Sequence, residues 1–383
     1  MSSTLQEPPP VSGAGNSLAA PKGSTIYCFG MPWATQEFTR EQVNSAGLAL
    51  LKTEISHQDY FEALEAVNNW RAIHGCPLQS MRMTLEGRAM RVDSSVIVSQ
   101  RTKRIPAIRL KLRENHARGL EMKLSQMHDI GGCRAVFRNV AQVEQLVAHY
   151  KAATAKNASR SGVFHREYDY IQVPKETGYR SVHLVYRYQS DSKKLRAYNG
   201  LKIEIQLRSR LQHYWATAVE TVDFFTGQAL KSNIGDLPWK RFFILVSNEF
   251  ARLEKRPLVP GAPVNENEAK AELLKYSNQI KTLEGFKAAT RVVTEKGATM
   301  KDTPFFLLQL DLDKRLLKAT PFSKTEATKA QHEYAKREAN SDPENIQTVL
   351  VSVKSIKALP KAYPSFYLDI TEFVKVLDAI LAH

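Results

Sequence analysis

Cysteine is scarce in this 383-residue chain, where only Cys28, Cys76 and Cys133 occur. The three are widely separated, odd in number and never arranged as a CxxC pair. This spacing favours neither a disulfide framework nor a zinc site. We therefore expect a protein of a reducing cytoplasm.

Long apolar runs are also lacking. The most apolar stretches, RFFILV and PFFLLQL, are far too short to span a bilayer. The first residues contain no basic region that leads into an apolar run, which is the pattern of a secretory signal. We expect an unexported protein with no membrane partner, while the sequence leaves its oligomeric state open.

Acidic residues are in short supply. The 39 Asp and Glu are outnumbered by 54 Lys and Arg, which gives a formal net charge of +15. This excess favours polyanionic partners such as nucleotides, RNA or DNA, without choosing among them. The hydrophobic content of 43% is enough for one large domain or two ordinary ones.

The hydrophobic pattern predicts a first, large domain. Residues 1–25 are rich in Pro, Gly, Ser and Ala and predict a flexible tail. The pattern then predicts helices at about 38–75 and 105–127, a buried strand at 134–137, a helix at about 141–155, strands in EYDYIQV, SVHLVYRY and LKIEIQLRS, and helices at about 208–225 and up to about 254.

A shift in composition marks a boundary at EKRPLVPGAPVNENEAK, which is rich in Pro, Gly and Asn. After one connecting helix the pattern alternates strand, helix, strand, helix and predicts a compact C-terminal α/β module. We divide the chain into a tail (1–25), a main domain (26–255), a linker with a connecting helix (256–295) and a C-terminal module (296–383).

Basic residues crowd the stretch from 101 to 123, where eight Lys and Arg face two Glu. Guanidinium and ammonium groups at this density suit a triphosphate, because they neutralise charge that accumulates as a phosphate bond breaks. The alternative is a solvated helix face.

An acid beside two glycines follows in MHDIGGCR (127–134). Mg²⁺ binds through one or two carboxylates plus substrate phosphates, and glycine lets a phosphate come close, so Asp129 is a candidate metal ligand. The alternative is an ordinary turn. Glu204 is a second candidate, because alternation in LKIEIQL places it with Lys202 and Gln206 on the polar face of a strand. A metal or a hydroxyl proton would serve as its partner, and the alternative is a solvent-facing surface.

The stretch DYIQVPKETGYRSVH (169–183) combines a turn with a ring and cations. Pro174 and Gly178 fix a turn that presents Lys175, Tyr179 and Arg180. An aromatic ring beside two cations suits a nucleotide, since the ring stacks on the base and the cations meet the phosphates. The alternative is a tyrosine that belongs to the core.

Taken in order, these motifs resemble the RelA/SpoT-type synthetase domain, whose members move the β,γ-diphosphate of ATP to a ribose 3′-hydroxyl. The resemblance covers about residues 38–230. One departure is Ala107, where the family usually has Ser. The matching residues are Arg101, Lys103 and Lys111, then Asp129 and Arg134, then Tyr170 to His183, and finally Glu204, Gln206, Arg208, His213 and Trp215.

The resemblance implies an α+β fold, with a mixed β-sheet flanked by helices, and an ATP-dependent pyrophosphokinase. Asp129 and Glu204 would bind Mg²⁺, and Glu204 would also draw the proton from the attacking hydroxyl. The residues implied for ATP are Arg101, Lys103, Lys111 and Arg134. The residues implied for the acceptor are Lys175, Tyr179, His183 and Gln206, with Tyr179 stacked on the base.

The chain also resembles the toxic small alarmone synthetase branch. It lacks the HDxxED hydrolase signature of long family members, since HDIGGC is not one. ALPKAYPSFYLDITEF (358–373) is similar to the antitoxin-like region of CapRel-type fused toxin-antitoxin proteins of phage defence. That group carries Tyr-x-x-Tyr in its regulatory loop, where this chain has Tyr363 and Phe366. If the module descends from a zinc-binding fold, the metal has been lost, because the module has no cysteine.

This second resemblance implies an autoinhibited toxin that pyrophosphorylates the 3′-CCA end of tRNA and stops translation. Tyr363 and Phe366 would block the ATP site until a phage structural protein releases them. The alternative is that Tyr363, Phe366 and the adjacent Tyr367 are packing residues of the small module. Two other functions remain open. One is a (p)ppGpp or (p)ppApp alarmone synthetase with a free nucleotide acceptor, and the other is an inactive RNA-binding regulator.

Overall fold

The computed structural model describes residues 25–28, 31–155, 162–226, 237–285, 291–294, 305–342, 345–353 and 356–382. The tail predicted at the N-terminus lies almost wholly outside these residues. The described strands are Thr25–Cys28 (β1), Met31–Ala34 (β2), Ile97–Thr102 (β3), Gly131–Phe137 (β4), Gly162–Asp169 (β5), Val182–Tyr188 (β6), Lys202–Ser209 (β7), Arg291–Thr294 (β8), Phe305–Asp311 (β9), Leu316–Phe322 (β10) and Ile346–Ser352 (β11).

Helices flank these strands. They are Arg40–Ala49 (α1), His57–Ile73 (α2), Gly75–Val92 (α3), Ile105–Ala117 (α4), Val140–Ala155 (α5), Arg210–Thr226 (α6), Leu237–Leu253 (α7), Glu266–Leu274 (α8), Ser277–Gly285 (α9), Ala327–Ala339 (α10), Leu359–Ala362 (α11) and Thr371–Leu381 (α12). No helix among the described residues is long and apolar enough to cross a membrane.

The architecture is α+β, as the resemblance implies. Within the described residues one sheet contains nine strands, in the order β5-β6-β7-β4-β3-β11-β9-β10-β8, and β1 pairs separately with β2. The sheet is mixed, because β4 runs parallel to β7 and β10 parallel to β8, whereas the other pairs are antiparallel.

The two faces of β7 differ as alternation predicts. Its apolar side chains pack in one core cluster with residues of α3 and α5. Lys202, Glu204 and Gln206 occupy the opposite face, because successive side chains of a strand point to opposite sides. The sheet therefore has one face sealed by helices and one face that is free to carry polar groups.

The C-terminal residues extend the same sheet instead of forming a separate one. Strand β11 inserts between β3 and β9, and it pairs Val351 with Arg101 and Ser352 with Gln100. One hydrophobic cluster combines residues of α1 and α2 with Leu307, Phe322 and Tyr334. The predicted main domain (26–255) and module (296–383) thus share a sheet and a core.

Several element boundaries differ from the sequence-based predictions. The helix predicted over 105–127 ends at Ala117, and Gly119 follows with a φ of +70°. The strand predicted in EYDYIQV ends at Asp169, whose carboxylate accepts the N–H groups of Ile171 and Gln172 and so makes a turn. Helix α3 and strand β10 were not predicted, and the single connecting helix is two helices, α8 and α9.

Candidate active site

Two carboxylates lie near enough to interact electrostatically where β4 and β7 run side by side. The register pairs Gly132 of β4 with Glu204 of β7, and Asp129 lies two residues before the start of β4. Glu204 is 7% exposed. The resemblance implied that these two acids, 75 positions apart, share one site, and parallel pairing of the strands brings them near each other.

Two lysines donate hydrogen bonds to Asp129. Its Oδ2 accepts a hydrogen bond from Lys103 Nζ at 2.9 Å, and its Oδ1 accepts one from Lys111 Nζ, also at 2.9 Å. Burial raises the pKa of the Asp129 carboxyl, but the two ammonium groups outweigh burial and hold the pKa well below its usual range. The carboxylate therefore stays ionised, next to two of the residues implied for ATP.

Glu204 is held from the other side. Its Oε2 lies 3.1 Å from His183 Nδ1, and its Oε1 accepts a hydrogen bond from Gln206 Nε2 at 2.6 Å. Burial raises the pKa of Glu204, but His183 outweighs it and lowers the pKa to about 2. Burial lowers the pKa of His183, and the neighbouring carboxylate reverses this and raises the pKa to about 9. The pair is an ion pair at neutral pH.

Tyr179 joins this network through its hydroxyl. The Oη contacts His183 Nε2 at 2.7 Å and accepts a hydrogen bond from Arg208 Nη2 at 2.7 Å. Burial raises the pKa of Tyr179, but Arg208 and His183 lower it to about 7. Lys175 Nζ lies 5.4 Å from the centre of the Tyr179 ring. The structure thus brings together all four residues implied for the acceptor.

The second cation beside the Tyr179 ring is Arg208, and the turn does not present Arg180 as the sequence suggested. Arg180 is 3% exposed and its Nη1 donates to Glu254 Oε2 at 2.7 Å. Its Nε also donates to Ser247 Oγ of α7 at 3.3 Å, so Arg180 anchors the turn to α7 and to the residue that follows it. Sequence reasoning missed the contact of Arg208 with this ring, although alternation along β7 places Arg208 on the same face as Glu204 and Gln206.

The remaining residues implied for ATP lie under residues 358–373, which we call the C-terminal segment. Arg134 donates a short hydrogen bond to the carbonyl of Ala362, and its guanidinium lies 5.7 Å from the centre of the Tyr363 ring. Arg101 Nη1 lies 3.5 Å from Glu220 Oε1. A cavity of about 10 Å³ between these groups, lined also by Ser365, has room for about one water molecule.

The two residues predicted to be autoinhibitory have different surroundings. Tyr363 is 4% exposed and donates its hydroxyl to the carbonyl of Gln100 on β3 at 2.6 Å. Phe366 is 1% exposed and packs edge-on against Phe224 of α6, with the ring centres 5.7 Å apart. Tyr363 therefore contacts the ATP side directly, whereas Phe366 anchors the segment in the core.

The donor set fits Mg²⁺. Among the described residues no three His, Cys, Asp or Glu side chains form a metal cluster. Mg²⁺ nevertheless needs only one or two protein carboxylates when substrate phosphates and water complete its octahedron. Asp129 and Glu204 are both ionised. Asp129 neutralises Lys103 and Lys111, which substrate phosphates would also attract, and Glu204 neutralises His183.

Comparison with known families agrees with these motifs. Residues 100–223 match the family model of the region found in RelA / SpoT proteins. This stretch is similar to the RelA/SpoT region. It contains every residue predicted above for catalysis, ATP, metal and acceptor, and the match supports an ATP-dependent pyrophosphokinase. No curated protein matches the chain.

Solved structures that resemble the chain include two small alarmone synthetases and a GTP pyrophosphokinase family protein. Small alarmone synthetase 1 from Bacillus subtilis, bound to its product pppGpp, is 21% identical over 49% of this chain and 94% of that chain, with a TM-score of 0.39. Small alarmone synthetase 2 from Bacillus subtilis is 19% identical over 49% and 93%, with a TM-score of 0.39. A GTP pyrophosphokinase family protein from Streptococcus pneumoniae is 20% identical over 52% and 91%, with a TM-score of 0.38.

Proposed function

We propose that the chain transfers the β,γ-diphosphate of ATP to a ribose 3′-hydroxyl in a Mg²⁺-dependent reaction, with the 3′-CCA end of tRNA as acceptor, and thereby inhibits translation. The observation that carries the reaction is the ionised pair of Asp129, which is partly buried, and Glu204, which is buried. Lysines lie on one side of this pair and the Tyr179 network lies on the other. Such a pair can hold the metal and balance the cations that phosphoryl transfer requires.

The residues divide the work between two substrates. Lys103 and Lys111 would exchange Asp129 for phosphate oxygens of ATP, and Asp129 and Glu204 would hold the metal. When bound, Mg²⁺ would neutralise charge on the transferred phosphates. Tyr179 would stack on the acceptor base, with Lys175 and Arg208 beside it. Attack at the β-phosphorus would break the bond to the α-phosphate and release AMP.

Glu204 was expected to serve both as a metal ligand and as a proton acceptor. Its pKa of about 2 favours the first role, because a weakly basic carboxylate accepts a proton poorly at neutral pH. Tyr179, with its pKa lowered to about 7, is better suited than Glu204 to accept a proton at neutral pH. We infer that Glu204 acts chiefly as a ligand and as the partner that orients His183.

Two other functions compete with a tRNA acceptor. A (p)ppGpp or (p)ppApp alarmone synthetase would use the same site with a free nucleotide. The net charge of +15 supports a long polyanion, since a protein that neutralises several phosphates gains affinity from released counterions. An inactive RNA-binding regulator is less favoured, because a binder gains nothing from two carboxylates kept ionised among cations.

We further propose that the C-terminal segment keeps the enzyme inactive. The carbonyl of Ala362 accepts a hydrogen bond from the Arg134 guanidinium, and the Tyr363 ring lies beside this guanidinium. The cavity that remains is too small for a triphosphate. The resemblance of residues 358–373 to fused toxin-antitoxin proteins supports a phage structural protein as the trigger that displaces the segment.

The test uses the full chain, because a fragment that ends before β9 would lose β11 and leave the edge of β3 unpaired. Tyr363→Ala protein is incubated with γ-labelled ATP and, in parallel, with bulk tRNA, GDP, GTP or ATP alone. The label follows the transferred diphosphate. Glu204→Gln in the same background should abolish transfer, whereas Glu86→Gln, on α3 and outside the site, should not.

Each outcome separates the candidate functions. Label on tRNA, with AMP released, supports the proposal. Label on guanosine or adenosine nucleotides alone would make the chain an alarmone synthetase. If no acceptor is labelled and AMP is not formed by any folded variant, the pyrophosphokinase proposal fails and the inactive regulator returns.

A further inference from the structure

An alternating row of rings and cations runs from the acceptor residue Lys175, in the turn after β5, back onto strand β5. The rings of Tyr168 and Tyr170 stack with centres 5.7 Å apart and planes inclined by 11°. The Arg166 guanidinium lies 5.6 Å from the centre of the Tyr168 ring, and Lys175 Nζ lies 4.3 Å from the centre of the Tyr170 ring. We call these four residues the stacking ladder.

The stacking ladder is continuous with the acceptor site. Tyr170 contacts the Tyr179 ring at 5.9 Å and the His183 ring at 5.3 Å, in both cases edge to face. In the register of β5 with β6, Tyr168 lies opposite His183. The row therefore begins at the site where the reacting nucleotide would stack and leads outward along β5, which is an edge strand of the sheet.

Among the described residues, cations crowd one another beside the ladder, and Glu204, an acid near Tyr170, is already paired with His183. Arg187 is paired with Lys202 across β6 and β7, and both lie near His165 of β5. Burial, followed by Arg187, Lys202 and Arg166, lowers the pKa of His165. Cations crowded in this way gain stability when an anion binds between them.

The acid between Arg166 and Tyr168 on β5 does not balance this charge either. Glu167 points to the opposite side of the strand from Arg166 and Tyr168, and it forms an ion pair of 2.9 Å with Lys151 on α5. Arg166 and Arg187 are exposed, and Tyr168 and Tyr170 are half-buried. Rings and cations are thus both accessible on the same side of the sheet as Glu204.

A single nucleotide does not account for this surface. Tyr179 alone provides a ring for one base, whereas the ladder adds two further rings and Arg166, with Arg187 and Lys202 at its side. Stacking rings combined with cations along a groove are what a single-stranded nucleic acid requires, since every base offers a flat face and every linkage a phosphate.

We propose that the stacking ladder, with Arg187 and Lys202, binds the nucleotides that precede the acceptor nucleotide in a single-stranded RNA 3′ end. This inference rests on the proposed function, because it assumes that the acceptor ribose reacts beside Tyr179. In this proposal, contacts at the edge of the sheet make the protein prefer an RNA end to a free nucleotide. Because the C-terminal segment lies on the ATP side, the resting full-length chain can bind RNA.

The test measures binding of a 5′-fluorescent single-stranded RNA to the full-length protein by fluorescence anisotropy, without ATP and over a series of salt concentrations. The variant Arg166→Gln/Arg187→Gln removes two charges from the proposed surface. Its matched control, Lys314→Gln/Lys318→Gln, removes two charges at and near β10, seven strands away and therefore roughly 30 Å distant.

The expected results are quantitative. Arg166→Gln/Arg187→Gln should flatten the slope of log affinity against log salt by about 1.4, since each phosphate contact contributes about 0.7 on single strands. The control should keep the wild-type slope. Tyr168→Ala should weaken binding roughly 5- to 150-fold through lost stacking, and Tyr168→Phe should stay close to wild type because it keeps the ring.

Two results would overturn the inference: no binding of RNA by the wild-type chain, or equal slopes and affinities for the ladder variants and the control. Neither result depends on catalysis. If RNA binds through the ladder but no acceptor is ever labelled by ATP, the proposed reaction fails while the RNA surface stands. If tRNA is labelled but the ladder variants bind normally, the reaction stands and the ladder is rejected.

Discussion

Replacing Tyr363 tests whether the C-terminal segment holds the enzyme closed. In the structure its hydroxyl donates to the Gln100 carbonyl at 2.6 Å, and its ring lies beside the Arg134 guanidinium. Burial raises the pKa of Tyr363, so the hydroxyl remains a donor at neutral pH. A state with the segment displaced has none of these contacts. Any contact removed therefore shifts the population towards the open state.

The size of the shift follows from the contacts. Tyr363→Phe removes one hydrogen bond with a net value of about 1 kcal/mol, which is roughly a fivefold rise in the open population. Tyr363→Ala also removes the buried ring, and such truncations cost about 3–5 kcal/mol. That corresponds to a rise of roughly 100-fold or more, until the open state dominates.

The assay follows AMP release from ATP by the full-length chain in the presence of tRNA, with thermal unfolding recorded for each variant. We expect turnover to increase in the order wild type, Tyr363→Phe, Tyr363→Ala. Tyr367→Phe is the matched control, because Tyr367 lies in the same segment but does not line the cavity beside Arg101. A folded Tyr363→Ala protein no more active than wild type would refute the role of the segment.

Two further predictions concern buried ion pairs. Glu338→Gln should lower the free energy of unfolding by about 3 kcal/mol in urea titrations, because it leaves the buried Arg71, 2.8 Å away, without a charge partner. The control is Glu333→Gln at a half-exposed position, which should lose roughly 0.5 kcal/mol. A loss for Glu338→Gln no larger than that of the control would contradict the prediction. Glu204 raises the pKa of His183 to about 9. The ion pair of these two residues therefore stabilises the folded protein fully below pH 6.5, and this contribution is lost as pH rises through 9. Wild-type protein should thus lose about 3 kcal/mol more than His183→Gln across that interval, and parallel pH profiles would exclude the effect.

Local patterns predicted much of the site because strands and turns impose fixed directions on side chains. Alternation in LKIEIQL correctly assigned Glu204 and Gln206 to the polar face of β7. The same rule extends to Arg208, whose contact with Tyr179 was overlooked. The prediction that the turn presents Arg180 was wrong, because its partner Glu254 lies 74 positions away, just after the end of α7, and no local pattern reveals it.

The sequence by itself determined the residue types of the site, their order and the strands that carry them, since these depend on spacing along a few residues of chain. Only the tertiary structure decided which groups meet. Parallel pairing of β4 with β7 places Asp129 near Glu204, and insertion of β11 beside β3 carries the segment of Tyr363 onto Arg134. Pairing between distant strands depends on the burial of the whole sheet, and for that reason it cannot be deduced from any one segment.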